Sequence, residues 1–192
     1  NQRVAALHQL FDFISRLLPE TIEQAGEIQA ITPRQAPIPN MAYLDKHEIA
    51  AMLAVPDRRR PQGRRDHALL LFLYNSGARA SEAAGVCLRD LTLNGSAAAV
   101  RLLGKGRKTR TCPLWESTAG ALRDLLGTRL GGPADLPVFL NARGAPITRA
   151  GIYKLVARTA QEAASAALPL KAKRVGPHTI RHPTAMHLLR AG

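Results

Sequence analysis

The chain has 192 residues, 46% hydrophobic, 4% aromatic and 21% charged, which excludes a wholly disordered, collagen-like or low-complexity polypeptide. Its longest strongly apolar run, Ala68 to Tyr74, is far too short to cross a bilayer, and two cysteines, Cys87 and Cys112, make neither a multi-bridge disulfide framework nor a zinc site. Charge is lopsided: residues 1–57 carry four basic and seven acidic side chains, residues 58–192 carry 23 and seven, and no acid follows Glu162. Cations packed this densely repel one another, and a polyanion relieves the repulsion by counterion release. Nucleic acid is therefore the expected partner, in a reduced, cytoplasmic setting. A membrane surface fits poorly, because the basic residues do not stand opposite a broad aromatic or Leu-rich face.

Along the chain, Val4, Leu7, Leu10, Phe11, Ile14, Leu17 and Leu18 form a helical stripe that ends at Pro19. From Thr21 the pattern dissolves, and Pro33, Pro37 and Pro39 mark 21–41 as a linker. The main domain starts near Ala42. Asp45 with Glu48 three residues on is a capping-box start for a helix through Leu53. A basic loop, Arg58 to Arg65, precedes a helix over 66–75, which Asn75-Ser-Gly77 breaks before helical composition resumes from Ala78 to Val86. Asn94-Gly95 predicts a hairpin between 91–93 and 97–103, and Gly104 to Lys108 a second turn into a strand over 109–114. Helices are expected near 117–129, 148–165 and 178–191. The fold class is α+β, mainly helical, with a small three-stranded antiparallel sheet.

Chemistry concentrates in a few segments. In Ser76-Gly-Ala-Arg79-Ala-Ser-Glu82, a glycine break places the Arg79 guanidinium at a helix start, and Glu82 lies on the same face, able to orient it. In Gly104-Lys105-Gly-Arg-Lys-Thr-Arg110, a glycine-flanked lysine sits at a hairpin tip beside Arg107, Lys108 and Arg110, which suit a DNA groove and backbone. The order of residues is not that of a Walker loop, so nucleotide hydrolysis is not indicated. In Gly176-Pro-His178-Thr-Ile-Arg181-His, imidazole and guanidinium stand three apart near a helix start, a proton acceptor beside a phosphate clamp. His182 and His187 read as core or surface residues, and the segment has no carboxylate or cysteine companion for a metal. Upstream, Lys171, Lys173 and Arg174 are candidate contacts to the phosphate backbone.

The series S-G-A-R-A-S-E, G-K-G-R-K-T-R and P-H-T-I-R-H, in that order, resembles the tyrosine recombinase (phage integrase) family over residues 42–192, its catalytic domain. The helix within residues 1–20 is similar to the last helix of that family's separate core-binding domain. The resemblance implies site-specific recombination or integration of mobile DNA through a 3′-phosphotyrosyl intermediate, on duplex DNA and among other recombinase protomers, with no cofactor. Carried over by position, Arg79 and Arg181 would clamp the non-bridging oxygens of the scissile phosphate, Lys105 would protonate the leaving 5′-oxygen, His178 would act in acid/base transfer and Glu82 would support the cluster. No metal is needed in that scheme, since the arginines supply the positive charge.

Two departures qualify it. The family's third box, a His or Trp, and its nucleophilic tyrosine come downstream of the segment ending at Gly192, whereas Tyr43, Tyr74 and Tyr153 all precede His178. The expectation is thus a truncated recombinase, inactive in cleavage by itself. Pro183 stands where the family has a small or hydroxylated residue, and it would crowd the carbonyl of Thr179 if the helix already starts near His178. The competing readings are a non-catalytic duplex DNA-binding module and a type IB topoisomerase-like enzyme. An RNA-binding role is disfavoured by the 4% aromatic content, which leaves little for base stacking.

Overall fold

The structure, a computed structural model, describes residues 1–33, 44–94, 97–104, 106, 108–165, 173 and 175–181. The chain divides into two compact units, Asn1–Asn40 and Met41–Gly192. In the first, α1 (Gln2–Leu17) packs on α2 (Ile22–Gln29) across a 3-10 turn at Pro19–Thr21. α2 lies in the stretch whose composition suggests a linker. Its eight residues are too few to display a period, yet they bury Ala25, and the prolines that mark extended chain begin only at Pro33. Two helices cannot cover the stripe on α1. No α1 residue is buried, and Leu10, Phe13 and Leu17 are 50%, 60% and 64% exposed.

The second unit is built around α4 (Pro61–Ser76), in which Ala68 through Phe72 and Leu73 are all buried, the mark of a helix surrounded by other elements. It starts five residues earlier than composition suggests. Pro61 at the first helical position has its φ preset for a helix, and a Cβ on Gly63 would run into the Asp57 carbonyl, so the basic stretch folds into the first turn instead of a loop. Before it, α3 (Lys46–Ala54) starts at Asp45 with the expected capping box: Asp45 Oδ1 accepts from the Glu48 amide and Glu48 Oε2 from the Asp45 amide, both at 2.8 Å.

After α4 come the short α5 (Ala80–Ala84) and a three-stranded antiparallel sheet in the order β1 (Leu91–Thr92), β2 (Ala99–Leu103), β3 (Thr109–Pro113). Leu91 pairs with Val100, and Leu103 with Thr109. Gly95 of the first turn lies outside the described residues. Next, α6 (Glu116–Leu126) packs along α4, and α7 (Arg149–Ala163) packs on α3 and α5. The edge-on rings of Phe72 and Phe139, 5.4 Å apart, and the buried Leu122, Ile152 and Ile180 complete the core. Buried Asp66 accepts from Arg65 and, at 2.8 Å, from Arg158, which ties α4 to α7. Residues 177–181 form a helical turn that begins at Pro177, next to His178; Pro183 and the expected continuation to 191 lie outside the described residues. No helix among the described residues is long and apolar enough to cross a membrane.

Candidate functional site

The site grows from the C-terminal end of α4. There the side chain of Asn75, a buried residue, donates to the Pro113 carbonyl at 3.2 Å and accepts from the Trp115 amide at 2.8 Å, so the end of α4 is pinned to the end of β3. Gly77 then takes the left-handed conformation, φ 57°, and its amide closes on the Leu73 carbonyl at 3.0 Å. An L side chain resists that conformation. The glycine therefore ends the helix sharply, and Arg79, extended at φ −69° and ψ 153°, becomes the residue that opens α5.

Glu82 is the hub. Its Oε2 accepts the Arg79 amide at 2.9 Å and its Oε1 the Arg79 guanidinium at 2.8 Å. From the sheet, Arg110 reaches the same carboxylate with both Nη atoms, at 3.1 Å to Oε1 and 2.6 Å to Oε2. The Glu82 side chain is only 3% exposed, whereas those of Arg79 and Arg110 are 43% and 35% exposed. Burial pushes the Glu82 pKa upward, but the hydrogen bonds from Arg110 and Arg79 outweigh it and bring the group down to about 2. The negative charge is sealed inside, and what faces solvent is positive.

Arg181, on the turn 177–181, faces this group. Its pKa is lowered by burial first and then by the neighbouring cations Arg79 and Arg110, against the opposing pull of Glu82. A guanidinium stays protonated under such pressure. Two cations thus bond one carboxylate, with a third close enough to feel all of them, an electrostatic excess that an anion would relieve. His178 lies one residue into the same turn and is exposed. Its ring is 6.4 Å from that of Tyr153, whose other neighbour, Arg149, stands 5.6 Å from the ring centre. Tyr153 packs against the start of the turn, with its ring edge 3.8 Å from where a Cβ on Gly176 would be. The Gly176 amide donates to Thr179 Oγ1 at 3.1 Å, which fixes the entry to the turn.

Of the residues singled out in the sequence, Arg79, Glu82 and Arg181 come together. Lys105, Arg107, Lys171 and Arg174 lie outside the described residues; Lys105 belongs to the connection between the paired Leu103 and Thr109. Lys108, in the same connection, is exposed. Arg110 and Lys173 are placed differently from the outward phosphate contacts their sequence context suggested. Arg110 points inward to Glu82. Lys173 donates to both oxygens of Glu48 at 2.7 Å, and Glu48 is 2% exposed, so this ammonium neutralises a buried carboxylate. The pair holds the approach to His178 and Arg181 against the start of α3. Among the described residues, no group of three or more His, Cys, Asp or Glu side chains could hold a metal ion.

Comparison with known proteins identifies relatives of the chain. The chain is 34% identical over 191 residues to the tyrosine recombinase XerC of Pelobacter propionicus, covering all of this chain and 60% of the relative. It is 36% identical over 154 residues to XerD of Pseudomonas aeruginosa, covering 78% of this chain and 49% of that one. It spans 57–65% of the length of the first curated relatives it matches. Among solved structures, the XerH site-specific recombinase bound to its palindromic difH substrate after cleavage matches with a TM-score of 0.63 and 26% identity, over 78% of this chain and 42% of that one. The XerA recombinase shares the fold, with a TM-score of 0.64 and 23% identity over 88% of this chain and 57% of its own. Residues 42–192, which hold the whole cluster around Glu82, match the phage integrase family, and the chain belongs to that family of tyrosine recombinases.

Proposed function

We propose that these residues form the phosphate-gripping half of the active site of a site-specific DNA recombinase, acting in the cytoplasm on duplex DNA alongside other protomers of its kind. The observation that carries the reading is the grip of Arg79 and Arg110 on the sealed carboxylate of Glu82, with Arg181 within electrostatic reach of all three. A phosphodiester fits that excess of charge. In the reaction, a tyrosine hydroxyl forms a bond to phosphorus, the bond to the 5′-oxygen breaks, and that oxygen must take up a proton. Arg79 and Arg181 are assigned the non-bridging oxygens, whose negative charge grows in the pentacoordinate transition state, where preset donors act most strongly. Lys105 is assigned the proton for the leaving oxygen, and His178 the proton traffic on the attacking side. Glu82 keeps Arg79 aimed. Support from relatives is of the same kind: XerH has been captured with difH before and after cleavage, and a transposon Tn1549 integrase with circular intermediate DNA.

All three tyrosines of the sequence precede His178, so none stands at the family's nucleophile position. The 192 residues alone are therefore expected to form no covalent adduct with a nicked suicide duplex. In a protein that carries them together with a downstream tyrosine, Arg181→Ala should lower adduct formation at least ~100-fold. Duplex affinity should change only a few-fold, because backbone contacts are spread over many cations. Adduct formation undiminished by Arg181→Ala would end the reading, and equal loss of affinity and cleavage would reduce the site to a DNA-binding surface.

A further inference from the structure

The proposed scheme gives Arg110 no task, although it makes the shortest contact in the cluster, 2.6 Å to Glu82 Oε2. Arg110 sits on β3 opposite Leu102 of β2, which is buried. Its neighbour two residues on, Cys112, faces the same way opposite buried Val100. The pleat therefore sends this guanidinium inward, under the sheet, to a carboxylate that belongs to α5. Both ends of the contact are anchored. Glu82 is held by the Arg79 amide as well as by its side chain, and β3 pairs with β2 along its length from Thr109 to Pro113. The start of the connection lies against the pair: a Cβ on Gly104 would be in ordinary contact with it, 3.5 Å from Glu82 Oε1 and 3.6 Å from Arg110 Nη1.

We propose that Arg110 is a positioning residue, a strap whose two-pronged grip on Glu82 fastens the β2–β3 hairpin to the helix start that sets Arg79. The proposal rests on the recombinase reading for what the strap serves, while the strap itself is testable without it. A planar fork suits the role, since two parallel hydrogen bonds fix orientation as well as distance, whereas an ammonium acts as a point charge. The strap has a second effect. Glu82 divided between two guanidiniums cannot fully pair with either, so Arg79 keeps donor capacity and net positive charge for a phosphate. Without Arg110, the carboxylate would turn wholly to Arg79 and compete with the substrate for it.

The test compares Arg110→Ala, Arg110→Lys and Lys108→Ala in the full 192-residue chain, with random-sequence duplex as the probe. As a strap, Arg110→Ala raises the Glu82 carboxyl pKa, read by NMR, from about 2 toward the ordinary carboxylate range. It also speeds amide exchange across Ala99–Pro113 about ten- to a hundredfold and leaves the slope of log affinity against log salt unchanged. Lys108→Ala, a control at an exposed cation, lowers that slope by about one contact and moves neither the Glu82 pKa nor the exchange. Arg110→Lys keeps the charge and restores the pKa and the exchange only in part. The proposal is overturned if Arg110→Ala shifts the salt slope as Lys108→Ala does while the Glu82 pKa and hairpin exchange stay at wild-type values. Full restoration by Arg110→Lys would likewise overturn the fork in favour of bulk charge. Should the wild-type chain bind no duplex, the recombinase reading fails, and the pKa and exchange readouts still decide the strap.

Discussion

A buried carboxylate bonded by two guanidiniums makes Glu82 the residue on which pH acts most directly. Its folded pKa of about 2 lies below the 4.5 of an unperturbed glutamate, so the folded state binds this proton less readily than the unfolded chain does. The stabilisation is therefore complete above the unfolded value and disappears as pH falls from about 4.5 toward 2, with a size on the order of 3 kcal/mol. Glu82→Gln should remove that amount near neutral pH and roughly half of it at about pH 3, measured as the difference in urea unfolding free energy from wild type. A difference that stayed constant between the two pH values would show that the Glu82 charge is not what holds the cluster. Arg79, Glu82 and Arg181 were readable as candidate site residues because glycine breaks and i,i+3 spacing are local signals. Arg110 was readable only as one of several DNA-facing cations and not as the partner of Glu82, since four cations crowd residues 105–110 and composition treats them alike. Only the alternation on β3, where Arg110 shares a face with Cys112, marks one of them as inward and in need of a buried partner.

At the level of elements, what matters is how abruptly α4 ends. Asn75 pins its last turn to β3 and the start of α6, and Gly77 reverses the chain so that Arg79 follows within two residues. Gly77→Ala keeps the helix but forces an L side chain into the left-handed region, at about 1–2 kcal/mol. The chain can escape only by rotating the segment that aims Arg79. The expected outcome is a urea midpoint lowered by that amount together with weaker duplex binding. Gly77→Asn, which tolerates this conformation, should be milder on both counts. Equal effects from the two variants would mean that lost packing space at the buried Gly77, and not its φ, is decisive. Punctuation of this kind made the break at Asn75–Gly77 and the capping box at Asp45 visible in the sequence. Where the signal depends on tertiary contact it was silent. α2 shows its packing on α1 through one small residue, Ala25, and the first turn of α4 depends on Gly63 clearing the Asp57 carbonyl.

Across the whole molecule, net charge and usable charge differ. The formal charge is +13, and its concentration after residue 57 pointed to a polyanion before any motif was considered. Yet Arg65 and Arg158 are engaged by Asp66, Arg101 by Asp90, Arg110 by Glu82 and Lys173 by Glu48. These cations hold elements together, and removing them would cost stability before it cost affinity. The cations that can neutralise phosphates are fewer, with exposed Lys108, Arg149 and Lys154 among them. Counterion release then sets the expected salt dependence: roughly four to six phosphates neutralised give a fall in duplex affinity of roughly 10²- to 10³-fold between 50 and 200 mM salt. Fluorescence anisotropy of a labelled duplex titrated across that range measures it. A fall of less than about tenfold would mean that the basic surface serves mainly solubility. A much steeper fall would mean that cations now paired internally let go of their carboxylates to reach DNA, in which case Glu48 and Asp66 would lose their partners on binding. The cost of breaking those pairs would then be subtracted from the binding free energy, so that DNA would raise the unfolding temperature less than its contacts alone predict.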